Sequence, residues 1–387
     1  MRKDPVLVLF CGGMGGSDVE ELLAGALRAS ALDLLDRSLA GGAYDGAIVV
    51  ADEASAPVFR DALPAGAVLD VDVSGEVFHF GRRLSDVVRR YGLVRPVYSG
   101  CGLPLLTSDE MTAVALALRT TDKRLVVANN YFSADLLGFT PGSAVDEVEF
   151  PNNDRILPRL LTAEAGFNSN PLPRTIANQF DLDSTGDLAV LSHAGGAGPR
   201  LQAYMAAMPL DTSRLVTASR LFTDRTAEVL VAGRVGSQVW QYLEAETACR
   251  IRMYSEERGM LAAGRDVSGE ARSMLAFHLQ AVGPQRFFAE LGEMVHAAFI
   301  DTRPILAHLG LQPSRADRFR SDAMTPAQID DPWLREFTEA AMSAPIPVVL
   351  GGSSLVTSGV QLLSEAAWRE NDQRAEDDYR PMGRAKT

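Results

Sequence analysis

Apolar residues in the first third of the chain follow two alternating rhythms. Short, nearly unbroken runs at 6–10, 47–51, 67–71, 95–99 and 125–128 have the length of buried strands. Between them the spacing changes. Val19, Leu22, Leu23, Ala26, Leu27, Ala31, Leu34 and Leu35 recur at i, i+3, i+4 and i+7, the stripe of an amphipathic helix. Ser17-Asp18-Val19-Glu20 at its start fits a capping box, and Thr107-Ser108-Asp109-Glu110 opens a second helix through Met111, Val114, Ala115 and Leu118. Strand–helix alternation of this kind predicts a mainly parallel sheet with helices on both faces.

A Gly-rich break at 194–199 precedes a second series. Strands are expected at 227–232, 249–254 and 345–350, and helices at 238–245, 271–281, 284–298 and 353–368. The expected organisation is a domain at 1–212, a smaller α/β domain with long helices at 213–369, and a polar, aperiodic tail at 370–387, expected to be mobile.

With 387 residues, 47% hydrophobic and 22% charged, the chain has the make-up of a globular protein of about two domains. Its net charge of −13 speaks against non-specific binding to nucleic acid or to anionic membranes. No apolar run reaches the length of a membrane span, and the short run at 6–10, with its Gly-rich exit, is expected to be a buried strand rather than a signal peptide. Cys11, Cys101 and Cys249 are widely separated and suggest neither a disulfide framework nor a zinc site. A reduced, cytoplasmic protein is the expectation.

The densest chemistry lies in Phe180-Asp181-Leu182-Asp183-Ser184-Thr185-Gly186-Asp187-Leu188. It reads as a strand end passing into a helix, with Asp183 or Ser184 as N-cap and Asp187 in the first turn. Carboxylates at such a place suit a hard divalent cation held against phosphate, although the same residues also serve a plain helix cap. After the first strand, Gly12, Gly13, Gly15, Gly16 and Ser17 form a loop that fits either a phosphate or a tight turn. The spacing is neither Gly-x-Gly-x-x-Gly nor a Walker A, and no lysine follows. Gly100-Cys101-Gly102-Leu103-Pro104-Leu105-Leu106-Thr107 lies at the fourth strand's exit. Further along, Gly233-Arg234-Val235-Gly236-Ser237 and Gly351-Gly352-Ser353-Ser354 follow strands, as does Ser255-Glu256-Glu257-Arg258. Asp301-Thr302-Arg303 is expected to end a helix. Each of these also fits a solvated loop or common turn. Tyr98 and Phe180 read as core, and His79 and His193 as structural.

Taken together, the Gly-rich first exit, Leu-Pro-Leu-Leu-Thr and Asp181-Leu182-Asp183-Ser184-Thr185-Gly186-Asp187-Leu188 resemble a known family. They are similar to the molybdenum-cofactor and phospholactate type of nucleotidyltransferases, small members of the GT-A, nucleotide-diphospho-sugar transferase fold, over residues 5–195. The resemblance implies a GT-A-like Rossmannoid three-layer sandwich. It implies transfer of a nucleotidyl group from a nucleoside triphosphate to a small phosphorylated or hydroxylated acceptor. Gly12, Gly13, Gly15, Gly16, Ser17, Gly100 and Gly102 would hold the nucleotide, and Asp181 and Asp183 would be catalytic and hold Mg2+. Asn153, Asp154 and Arg174 would face the acceptor, with Asn129 and Arg155 in the same neighbourhood. The chain departs from the family in two places: Gly102 stands where the family has a metal-binding Asp, and the loop carries no Arg or Lys. A glycosyltransferase using a nucleotide sugar and a non-catalytic nucleotide-binding protein are the alternatives, and a homo-oligomer stays open.

Overall fold

The computed structural model describes residues 4–73, 75, 77–208 and 210–379, with side chains through 374. The chain divides into two compact units. One comprises Met1–Ser184, Gly196–Pro209 and Gly259–Glu270, and the other Thr185–Gly195, Leu210–Arg258 and Ala271–Thr387. In place of one boundary at 212, the chain therefore passes between units at five points.

The first unit contains β1 (Val6–Cys11), α1 (Asp18–Ala40), β2 (Ala47–Ala51), α2 (Ala56–Ala62), β3 (Ala67–Val71), α3 (Phe80–Tyr91) and β4 (Pro96–Gly100). It continues with α4 (Ser108–Arg119), β5 (Leu125–Ala128), β6 (Leu136–Thr140), α5 (Leu157–Ala163), β7 (Asn168–Pro171) and α6 (Ile176–Gln179). The seven strands form one sheet in the order β3-β2-β1-β4-β6-β5-β7. β6 runs antiparallel to β4 and β5, and the other pairs are parallel.

Alternate residues of β1 feed two cores. Val6, Val8 and Phe10 pack with Leu84, Val87 and Val88 of α3 and Leu157 and Leu161 of α5. Leu7, Leu9 and Cys11 pack with Leu34 and Leu35 of α1 and Met111, Val114 and Leu118 of α4. Burial on both faces explains why the strands read as unbroken apolar runs, and it gives the expected three-layer α/β sandwich. Ser17 caps α1 by accepting from the Glu20 amide, and Thr107 and Glu110 form a complete capping box on α4.

Then come α7 (Thr185–Ala194), α8 (Pro199–Ala206), α9 (Ser213–Arg220), β8 (Glu228–Gly233), α10 (Ser237–Glu246), β9 (Arg250–Ser255), α11 (Arg265–Ser268) and α12 (Met274–Val282). α13 (Pro284–Met294), β10 (Ala297–Asp301), α14 (Arg303–His308), α15 (Arg315–Asp322), α16 (Pro332–Met342), β11 (Val348–Gly351) and α17 (Val360–Tyr379) complete the chain. α8 and α11 belong to the first unit, where Asp33 of α1 accepts from the Arg200 and Leu201 amides of α8 at 3.1 and 3.0 Å. The second unit is built on a parallel four-stranded sheet, β11-β10-β8-β9. Leu230, Ala232, Ala298, Ile300 and Leu350 bury one face against α12, α13, α14 and α16. Phe299 stacks on Phe222 at 5.3 Å.

Three expectations are corrected. The acidic motif does not follow a strand: α6 precedes it, and the segment between α6 and α7 is irregular. The helix expected over 284–298 ends at Met294, and β10 takes up its last residues, so Asp301 ends a strand. α17 runs to Tyr379, well past the expected start of the tail at 370, and the rest of that tail lies outside the described residues.

Candidate functional site

Parallel pairing of β1 with β2 and β4 places the exits Cys11, Ala51 and Gly100 along one edge of the first sheet. Because β6 is antiparallel, its beginning lies at the same edge, with Ser99 opposite Leu136. Ligands of open α/β sheets gather at such an edge.

The glycine loop leaves β1 and is fastened by Asp52, the residue after β2. The Gly13 amide donates to Asp52 Oδ2 at 2.9 Å, and the Ser55 amide donates to Oδ1 at 2.8 Å. Gly13 has φ +74, Gly15 +148 and Gly16 +111, conformations that favour glycine. Among the described residues nothing lies within 4 Å of where a Cβ on Gly13 would stand. The first turn of α1 carries Asp18, Glu20 and Glu21, which fill the head of that helix with negative charge.

Beyond β4, a Cβ on Gly102 would overlap Asp181 Oδ1, so the Asp181 carboxyl group occupies the space beside this glycine. The Leu182 amide donates to the Gly102 carbonyl at 2.7 Å and fixes the two segments together. The place where the resemblance expects an Asp side chain thus adjoins a different carboxylate, reached from residue 181.

Four carboxylates act electrostatically on one arginine. Burial opposes the charge on Arg155, yet Asp183, Asp135, Asp154 and Asp181 hold its pKa above the ordinary value. Burial and the neighbouring Asp154 raise the Asp135 carboxyl to about 7. Asp154 is also raised by burial, against the opposing effects of the Tyr98 hydroxyl, which donates to its Oδ2 at 2.6 Å, and of Arg155. Burial and then Asp154 push the Tyr98 hydroxyl far above its usual range, so it stays protonated as that donor.

Asn129, buried at the end of β5, organises the backbone around them. Its Oδ1 accepts from the amides of Asp135 at 3.2 Å and Leu136 at 3.1 Å, and its Nδ2 donates to the Asn178 carbonyl at 2.8 Å. The Gly100 amide donates to the Asp135 carbonyl at 2.9 Å. This is a stitched corner where the chain segments carrying residues 100–102, 129–135 and 178–182 meet.

Of the residues singled out in the sequence, the glycine loop, Gly100, Gly102, Asp154, Asp181 and Asp183 share this edge. Asn153 and Arg174 are exposed, on the segments leading to α5 and α6. Asp187 is buried in α7 of the second unit. Asp52 and Asp135 went unnoticed in the sequence. Asp52 carried a readable signal, a carboxylate directly after a strand; Asp135 precedes β6, which the apolar pattern did not reveal. Cys11 and Cys101, distant in sequence, are neighbours at the β1 and β4 exits. A hydrogen bond with Cys101, together with burial, raises the Cys11 thiol well above its usual value, so Cys11 stays protonated.

Among the described residues no group of three or more His, Cys, Asp or Glu side chains is arranged to hold a metal ion. Mg2+ is commonly held by one or two carboxylates together with substrate phosphates, and Asp181 and Asp183 stand two residues apart on the segment between α6 and α7. No helix among the described residues is long and apolar enough to cross a membrane.

Neither a scan against protein-family models nor a search of curated proteins returns a match. Solved structures with similar folds are found. A protein described as a nucleotide-diphospho-sugar transferase from Desulfovibrio desulfuricans G20 is 14% identical, with 53% of this chain and 98% of that chain covered, at a TM-score of 0.38. A cytidylyltransferase from Leptospira borgpetersenii is 14% identical, with 52% and 90% covered, at 0.38. Rv0371c from Mycobacterium tuberculosis is 14% identical, with 48% and 94% covered, at 0.34.

Proposed function

We propose that the first unit transfers a nucleotidyl group from a nucleoside triphosphate to a small phosphorylated or hydroxylated acceptor, releasing pyrophosphate, in the cytoplasm. The observation that carries this reading is the Asp181 carboxylate against Gly102. It stands beside the place where the resembling family has its metal-binding Asp, at the sheet edge that also holds the glycine loop.

In this reading the loop at Gly12, Gly13, Gly15 and Gly16 with Ser17 receives the nucleotide, and Asp52 keeps the loop in register. Gly100 leaves room for it, and Gly102 lets the Asp181 carboxyl group reach the same edge. Asp181 and Asp183 would hold Mg2+, which supplies neutralisation of phosphate charge when bound. Asn153, Asp154 and Arg174 face the acceptor, with Asp154 oriented by Tyr98. Asp135, with a pKa near neutrality, is able to take a proton from an attacking hydroxyl. Arg155 keeps the carboxylates together before substrate arrives. Attack would be in line, with the protein contributing positioning and electrostatics.

The test is pyrophosphate release from ATP, CTP, GTP and UTP with candidate acceptors, comparing wild type with Asp183→Asn. Asp183 is exposed, so the variant should fold as wild type does while losing metal-dependent turnover. Equal turnover in the two proteins would remove Asp183 from the chemistry. Nucleotide binding without any turnover by wild type would favour a non-catalytic nucleotide-binding protein, a reading supported by the absence of Arg and Lys from the loop. Turnover of a nucleotide sugar alone would favour glycosyl transfer.

A further inference from the structure

The second unit carries polar chemistry at all four strand exits, on one edge of its sheet. In the paired strands Gly233 lies opposite Ser255, Asp301 lies opposite Gly351, and Ala232 lies opposite Ile300. Four motifs scattered over more than 100 positions of sequence therefore form one row. The chain lays β9 on one side of β8 and then crosses to place β10 on the other, so the strand order reverses between β8 and β10. The crevice beyond the carboxyl ends of strands at such a reversal is where open parallel sheets take ligands.

Side chains at this point are fixed in place. Arg234 donates to Asp301 through Nε at 2.6 Å and Nη2 at 3.1 Å, and Arg303 donates to both Asp322 oxygens at 2.9 and 2.6 Å. The Arg303 amide donates to Asp301 Oδ1 at 3.1 Å. Gly233, at φ +124, has no room for a side chain, because a Cβ would overlap that of Asp301. These pairs neutralise one another and form the floor.

The Ser255-Glu256-Glu257-Arg258 exit of β9 then sorts its charges. Glu256 accepts from the Ser273 hydroxyl at 2.6 Å and the Met274 amide at 3.0 Å. Glu257, in a left-handed backbone at φ 51, accepts from the Arg272 amide at 2.9 Å. Both acids are engaged with the segment that opens α12. Arg258 points the other way, its Nη2 3.6 Å from where a Cβ of Gly236 would stand. Among the described residues Arg258 takes part in no ion pair, and it is exposed. The row thus has a floor of paired charges, a glycine wall that leaves space, and above it an arginine that no carboxylate of the described residues pairs, with both acids of the exit turned to residues 272–274.

The geometry points to a second ligand site in this protein: the crevice between the β8 and β10 exits binds the phosphate group of a small phosphorylated molecule, with Arg258 as its counter-charge and Gly236 leaving it room. Arginine suits this task because its planar fork meets a phosphate through two donors. The site is independent of any nucleotide chemistry in the first unit.

The test uses the full-length protein and two probes, inorganic phosphate and glycerol 3-phosphate, titrated calorimetrically. Saturable binding of both is expected, with the ester bound at least as tightly as the free ion. Arg258→Gln should weaken both at least tenfold with an unchanged Tm, and Arg258→Lys should recover part of the loss. Gly236→Val should weaken both as well, by filling the space beneath the guanidinium. Absence of saturable binding by wild type, or binding indifferent to Arg258→Gln and Gly236→Val, would overturn the proposal. So would binding that instead falls in Asp52→Ala, because the phosphate would then sit in the first unit. Exclusion of the ester while inorganic phosphate binds overturns the assignment to a phosphorylated molecule.

Discussion

Replacing Gly102 by Ala separates stability from chemistry at the first site. The added methyl would overlap Asp181 Oδ1, while its next neighbours, Asp181 Cγ and the Leu182 carbonyl, lie at 3.4 and 3.5 Å, ordinary contact distances. Relief therefore requires only that one half-buried carboxyl group turn aside, at a cost of about 0.5–1.5 kcal/mol for an off-rotamer side chain. Gly102 lies outside the left-handed region, so alanine is free of backbone strain there. Loss of a glycine from the unfolded chain returns about 0.4–1 kcal/mol. The balance is a Tm within a few degrees of wild type, given about 2–4 °C per kcal/mol for a domain of this size. Function should respond differently. A misplacement of about 1 Å in a reacting constellation costs on the order of a hundredfold, and the turned carboxylate moves by at least that much. Magnesium-dependent nucleotide affinity, read by calorimetry beside Tm, should fall sharply with the fold intact. Wild-type affinity and wild-type magnesium dependence in Gly102→Ala would refute the role given to Asp181.

Asp52→Ala removes the acceptor of the Gly13 and Ser55 amides; nucleotide affinity should drop about tenfold or more and stability by about 1–3 kcal/mol, and unchanged affinity would take the loop out of the site. Asp135 titrates near 7 in the folded chain, above an unfolded value of about 3.9, so the native state binds the extra proton between those limits. Its contribution to stability is present at low pH and is lost as pH rises toward 7, so Asp135→Asn should gain stability relative to wild type over that window. A constant difference from pH 4 to 8 in denaturant melts would contradict this. Cutting the gene at residue 212 should yield two poorly folded pieces, because the C-terminal one would lose α7, whose Leu188, Val190 and Leu191 are buried, and the N-terminal one would lose Gly259–Glu270. Two fragments with sharp independent melts would show the domains to be separable there.

Much of the fold was legible because strands buried on both faces write themselves as apolar runs. β1 to β5 fall within a residue of the runs that predict them, and both expected capping motifs sit at helix starts. β6 and β7 escaped for different reasons. β6 (Leu-Leu-Gly-Phe-Thr) is fully buried, but a glycine at its centre weakens the pattern; Gly138 is there because a Cβ would press on Leu118 and Val114 of α4. β7 is Asn-Ser-Asn-Pro and exposed throughout, so no hydrophobic signal exists to read. The interleaving of the two units is invisible to periodicity, since each crossing falls in ordinary turn sequence. α7 in particular reads as a continuation of the acidic motif, although it packs with the second unit.

The candidate sites follow the same rule, because a polar residue gains meaning from the element it follows. Asp52 and Asp181 act on the glycines through contacts 39 and 79 residues apart, which no local spacing encodes. Asp301 is the sharper case. Placed at the end of a helix, Asp301-Thr302-Arg303 is one more charged loop; placed at the end of β10, it is the central exit of a reversing sheet. The difference rests on Ala297–Asp301, a run too short and too uniformly apolar to separate strand from buried helix by period. What decides it is the partner: β8 and β11 each offer a parallel strand on either side, and the run between them completes both ladders. Likewise the charge of Ser255-Glu256-Glu257-Arg258 sums to −1 in sequence, yet the edge of the crevice is left with a cation, because both glutamates turn to residues 272–274. Composition gives the sum of charges, whereas packing decides which of them a ligand meets.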